Sequence, residues 1–187
     1  MRKILTLFCV FLVLFSISAC ESQKESPTEP KESSYEDALQ LYEQIYNGDL
    51  QKIRYTAPQK AWDTYLEETG KTVDDVITES EATYQAFNNE ISAEYGSTFS
   101  ITLSIANSEH CDAETLAKIG KALHNDYKID EKDVKDAYKI TVSATVTAGE
   151  GIEAGENEFH IVNINNDWYL INYYAFGDEG IVGFAFI

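Results

Sequence analysis

Basic residues are scarce in this chain: 14 Lys and Arg stand against 32 Asp and Glu in 187 residues, a formal charge of −18. Nucleic acid is held through a basic face, so no nucleic-acid partner is expected. Long apolar runs are also lacking. The one candidate, Ile4–Ala19, falls short of the ~20 residues that span a bilayer as a helix. Cysteine occurs only at positions 9, 20 and 111, too few for a disulfide framework. Proline occurs three times, and Pro27 and Pro30 share one short segment with no aliphatic or aromatic side chain.

The apolar run has the order of a secretory signal peptide. Arg2 and Lys3 precede it, and Ser16–Ala19 closes it with small residues, except for Ile17. An ordinary signal peptidase favours a small residue three positions before the cut, whereas that place before Cys20 is held by Ile17. The tetrad Ile17-Ser18-Ala19-Cys20 resembles a bacterial lipobox. The resemblance implies cleavage before Cys20, a thioether-linked diacylglycerol on its sulfur and acylation of the new amino terminus. Two or more acyl chains hold a protein stably at a bilayer. Glu21 stands where the aspartate associated with inner-membrane retention would follow. Cys9 then leaves with residues 1–19 and Cys20 is consumed, so Cys111 has no intramolecular partner and reads as a small buried residue.

Residues 20–33 read as a lipidated cysteine followed by a disordered tether. Its residues 21–32 reach at most ~40 Å at ~3.3–3.6 Å per residue. The acidic body is repelled by anionic headgroups and is expected to stand off the membrane. One domain then occupies residues 34–187, a size suited to a single core.

Ser33-Ser34-Tyr35-Glu36 predicts a capping box with Ser33 as cap. The helix behind it buries Tyr35, Ala38, Leu39, Tyr42, Ile45 and Tyr46 and stops at Asn47-Gly48. A second helix starts at Pro58. A third runs from Thr72 to Gly96, with Val73, Val76, Ile77, Tyr84, Phe87, Ile91 and Tyr95 at helical spacing. The period then falls to two, so Phe99–Ile105 predicts a strand. Asp112 opens a fourth helix, Asp130 a single turn through Asp136, and Tyr138–Thr147 a long strand. Gly149, Gly151 and Gly155 predict a hairpin loop. Strands at 156–164 and 168–175 follow, parted by Asn165-Asn166-Asp167, and are apolar at both parities, which predicts a central position. The tail from Gly180 supplies an edge strand or packs on the sheet.

Helices grouped before and within an antiparallel meander predict an α+β fold. The helix ending in Asn-Gly-Asp, the segment KIDEKDVKDAYKITV leading into the long strand and the closing DWYLI strand together resemble the nuclear transport factor 2-like superfamily. More narrowly, they resemble its extracytoplasmic lipoproteins. That resemblance implies a cystatin-like cone, with a curved sheet wrapped around helices and often a pocket inside.

Chemical motifs are weak. Glu109-His110-Cys111-Asp112 lines up four ligand types, but adjacent residues do not converge as metal ligands spaced two to four apart do; the segment reads as a loop before a helix cap. The glycines at 149–155 join strands and lack the lysine and helix of a phosphate loop. Asn163–Asp167 lacks the glycine and distal glutamate of a calcium loop. No metal, cofactor or catalytic residue is expected. His160, on the strand parity of Val162 and Ile164, is the candidate pocket-lining residue.

The expectation is therefore a lipid-anchored protein on the extracytoplasmic side of the cell membrane. It is held through Cys20 and is non-enzymatic, and its domain binds a small apolar ligand or another envelope protein. The alternative is a cone-fold isomerase- or hydratase-like enzyme with an acid/base residue in an apolar pocket.

Overall fold

The computed structural model describes residues 34–176 and 179–185; the expected signal segment, Cys20 and the tether lie outside the described residues. Four helices and five strands follow in the order α1 (Tyr35–Tyr46), α2 (Gln59–Thr69), α3 (Val73–Tyr95), β1 (Phe99–His110), α4 (Ala113–Tyr127), β2 (Val134–Ala148), β3 (Gly151–Ile164), β4 (Asp167–Phe176) and β5 (Glu179–Phe184). Short 3₁₀ turns at Leu50–Tyr55 and Glu131–Asp133 complete the set. The fold is α+β, with helices packed on a curved, open antiparallel sheet of strand order β1-β2-β3-β4-β5.

Capping residues set the helix starts. In α1 the Asp37 N–H donates to Ser34 Oγ at 3.3 Å and the Asp37 carboxylate accepts the Ser34 N–H at 2.8 Å. The cap is thus Ser34 with Asp37, one residue later than the expected Ser33 with Glu36, because Asp37 closes the reciprocal pair of bonds. Thr72 and Asp75 cap α3 in the same way.

Several strand bounds differ from the sequence reading. β1 runs on to His110, so Glu109 and His110 are strand and not loop; they pair with Lys139 and Tyr138. β2 starts at Val134, since the turn after Asp130 ends at Asp133. Asp130 makes no side-chain cap there and instead faces Lys60 and Lys132. The hairpin turn is Gly149-Glu150 alone, with Gly149 at φ +56°. Gly151 and Gly155 lie within β3, opposite Ala148 and Ala144. Asp167 belongs to β4, after a turn in which Asn165 and Asn166 take positive φ. β3 and β4 are central, and the tail forms β5 at the edge.

Register assigns the faces, because directly paired residues point the same way. One face carries Ile101, Val142, Ile140, Ile161 and Leu170, and α1 and α3 lie over it. Tyr42, fully buried on α1, donates its hydroxyl to the Thr56 and Leu170 carbonyls at 3.3 and 3.4 Å. Phe87 of α3 meets Phe99 edge-on at 4.8 Å. Full burial of side chains such as Ile45 and Ile53 contributes ~1.5–3 kcal/mol each. The void by Tyr42 is only about 20 Å³, so the layer is filled there, while a groove of about 630 Å³ lies at its margin between α1 and Leu103–Ser108 of β1. The other face carries Val162, Ile171 and Phe184 beneath α4, whose Tyr127 meets Phe184 at 5.1 Å.

At the sheet rim, Tyr35 packs on Tyr138 and Trp168 with centroids 5.4 and 5.9 Å apart. At the β1 edge, α1 supplies a clasp. Asn47 Oδ1 accepts the Ile101 N–H at 2.9 Å, its Nδ2 donates to the Ile101 carbonyl at 2.7 Å, and Glu43 accepts the Leu103 N–H at 2.7 Å. These bonds satisfy edge groups that otherwise invite another strand. Asn47→Ala removes two bonds to part-buried backbone and should lower the unfolding free energy by about 1–3 kcal/mol, measured by urea denaturation. A loss below the error of that measurement would refute the clasp.

Candidate functional site

The strand ladder between β3 and β4 covers only Ile164↔Asp167 to His160↔Ile171. Beyond that last pair both strands continue but part company. β3 stays with β2 down to Gly151, while β4 stays with β5 out to Phe176. A cleft of about 640 Å³ opens where they separate, walled by Glu158–His160 on one side and Asn172–Ala175 on the other.

The junction between β1 and α4 forms the third wall. Cys111 is fixed to β2 by its N–H, which donates to the Ala137 carbonyl at 3.0 Å. Asp112 caps α4, its carboxylate accepting the Thr115 N–H at 2.8 Å. Cys111, Asp112 and Thr115 therefore stand over the strands and line the cleft. Lys139 of β2 lies directly opposite His160 in register and is tied to Glu158 at 2.7 Å.

His160 is half-buried and meets Tyr173 edge-on, centroids 5.3 Å apart. Burial first, then the Lys139 charge, holds its proton affinity below the usual 6.5, against a smaller opposing pull from Glu158. Burial pushes the Cys111 thiol up, as do the carboxylates of Asp112, Asp136 and Glu109, while a bond from the Lys139 backbone pulls down. A thiol raised in this way is a poor nucleophile. Burial likewise raises the Tyr173 phenol. Asp112 is held low, chiefly by the Thr115 backbone bond. At neutral pH the inner wall thus carries an uncharged imidazole, the ring of Tyr173 and a largely buried thiol, behind a charged rim. That arrangement suits an apolar or aromatic body with a few polar contacts.

Glu109 and His110 also line the cleft, the His110 ring bound to Asp136 at 2.6 Å and edge-on to Tyr138 at 4.9 Å. The remaining motifs disperse. His124 faces the Ile129 carbonyl at 3.1 Å beyond the end of α4. Asn163 accepts the Asn166 N–H at 3.1 Å and closes its own turn. Among the described residues no group of three or more His, Cys, Asp or Glu is placed to hold a metal ion. No described helix is long and apolar enough to cross a membrane.

The cleft partners of His160 escape a sequence reading that widens the hairpin to 149–155. Counting back from a turn at Gly149-Glu150 puts Lys139 opposite His160. Tyr173 needs the β4 register as well. Compared with protein-family models, with curated proteins and with solved structures, the chain matches none.

The Tyr173 ring rests on Gly180 of β5, where an added Cβ would collide with it. Its hydroxyl is buried without a hydrogen-bond partner among the described residues. An unpaired buried hydroxyl costs about 1–3 kcal/mol, so Tyr173→Phe should raise the unfolding free energy by about 1 kcal/mol. Destabilisation would mean that the hydroxyl has a partner. Burial of His160 also makes a pH signature. The unfolded chain binds this proton more readily than the folded one, so stability falls as pH drops below about 6.5 toward the depressed folded value. His160→Gln should flatten that component in denaturant titrations across pH 5–7. An NMR titration that places His160 at or above 6.5 would contradict it.

Proposed function

We propose that the chain is a membrane-anchored extracytoplasmic lipoprotein whose domain binds a small, largely apolar ligand in the β3–β4 cleft without transforming it. The observation that carries the binding reading is the cleft itself: about 640 Å³, with uncharged His160, the ring of Tyr173 and Cys111 on its inner wall. Ligand pockets of ~300–1,000 Å³ are commonly built this way. The anchor reading rests on Ile17-Ser18-Ala19-Cys20. Helices against a curved, open antiparallel sheet support the likeness to the cystatin-like cone of the nuclear transport factor 2-like superfamily.

A second reading is favoured by one pair of residues. His160 with a lowered proton affinity, next to Tyr173 in a cleft above ~300 Å³, has the makings of a general base. On that reading the domain is a cone-fold isomerase- or hydratase-like enzyme. Binding without turnover separates the two.

Two measurements test the proposal. Cells fed labelled palmitate should label the wild-type chain and leave Cys20→Ala unlabelled and released from the membrane fraction. Equal membrane retention of the two would sink the anchor. Indole and cyclohexanol, added separately to the full chain in nonionic detergent, should shift the NMR resonances of His160 and Tyr173 saturably and emerge unchanged. If neither probe moves those resonances, the cleft is not a small-ligand site.

A further inference from the structure

We infer that the β3–β4 cleft also accepts an extended, basic peptide segment, which adds as a strand to the free inner edge of β3. This rests on the reading of the cleft as a binding site and names a further class of ligand for it. The backbone carries the argument. Asn47 reaches the outward-turned N–H and carbonyl of Ile101, which sits opposite Val146. Antiparallel pairs alternate between bonded and non-bonded, so the even-numbered residues of β2 here bond to β3. Their partners are odd-numbered, Glu153, Asn157 and Phe159 among them. The even residues of β3 therefore turn their polar groups the other way, and His160 and Val162 spend theirs on β4.

Glu158, Glu156, Ala154 and Ile152 have the same orientation but no strand beside them. Across the split, Leu170 accepts the Ala185 N–H, so even residues of β4 face β5 and Tyr173 turns its backbone toward β3. Two runs of peptide groups thus face one another where the ladder stops, and the cleft lies between them. Strand addition uses such groups for affinity and alternate side chains for selectivity.

Three further observations define the occupant. The β1 edge is closed at Ile101 and Leu103 by Asn47 and Glu43, whereas no described side chain closes β3 between Ile152 and Glu158. Three of the four exposed large apolar side chains among the described residues, all but Tyr55, stand on the arms of the split: Ile152 on β3 is 68 % exposed, and Tyr174 and Ile181, paired on β4 and β5, are 63 % and 60 % exposed. The charge on β3 is acidic, with three glutamates and no Lys or Arg in Gly151–Ile164, although Lys139 of β2 pairs with Glu158. A segment alternating basic and small or apolar residues complements all three.

The probe is the octapeptide (Thr-Lys)₄, added to the full chain in nonionic detergent, with (Thr-Glu)₄ as control. Only the basic peptide should slow amide hydrogen exchange at Ala154, Glu156 and Glu158, with an affinity that falls as salt rises. Ala154→Pro removes one outward N–H and no charge, and proline is tolerated on an edge whose N–H faces solvent. It should weaken binding about tenfold, the equivalent of about one hydrogen bond, with its melting temperature checked in parallel. Glu156→Gln, which keeps the N–H, should reduce only the salt dependence. Protection elsewhere, unchanged affinity in Ala154→Pro, equal binding of the acidic peptide, or a concentration-dependent dimer that occupies this edge would each overturn the inference. Should indole or cyclohexanol still shift His160 and Tyr173 while the peptide protects nothing, the peptide inference alone fails.

Discussion

Val134–Ala148 and Gly151–Ile164 run past each other for nearly their whole lengths, joined only by Gly149 and Glu150. The register of that hairpin decides what each side of the sheet carries. A slip of one residue would send Ile140, Val142 and Ala144 to the face they now turn away from, and Lys139 into the α1 layer. Both helical layers depend on the alternation being right. Tyr42 has a sheet carbonyl to bond, beside that of Thr56, because Leu170 follows Ile161 across the sheet, and α4 has a floor because Val162, Ile171 and Phe184 share the opposite parity. Burial chiefly lowers the proton affinity of His160, and the same register adds to it by setting Lys139 beside the ring.

Much of this was legible in the residues. Amphipathic spacing located α1, α2, α3 and α4, and Thr72, Asp112, Gly70 and Gly96 marked their ends where the structure has them. Mixed parity in β3 and β4 pointed to central strands with both faces covered. The misjudged places share a cause. Glycines 151 and 155 read as loop from local preference, yet they face alanines across the ladder and are held as strand by β2. Glu109 and His110 are polar and exposed, so periodicity had no purchase there, although β2 continues to pair with them. His160 could be nominated from parity alone. His160, Tyr173 and Cys111 come from three separate segments, and the divergence of β3 from β4 is a tertiary property with no local signature.

The treatment of the sheet margins follows from the same economy. α1 spans from β1 to β4, and its C-terminal turn delivers Asn47 and Glu43 to backbone that would otherwise be bare. The opposite arrangement holds inside the sheet, where β4 is drawn away by its pairing with β5 and, among the described residues, α4 brings only Thr115 to the gap. Acidic side chains along β3 discourage self-association of like-charged copies while leaving the backbone accessible.

The aromatic contact of Tyr35 with Tyr138 and Trp168 has a mechanical side. Any pull arriving along the chain ahead of Ser34 enters the domain at Tyr35, the first residue of α1. There it meets β2 and β4 at once through two ring contacts, and not a lone edge strand. Load is divided there between two strands inside the sheet. A domain hung by its amino-terminal end would resist drag at that point of suspension.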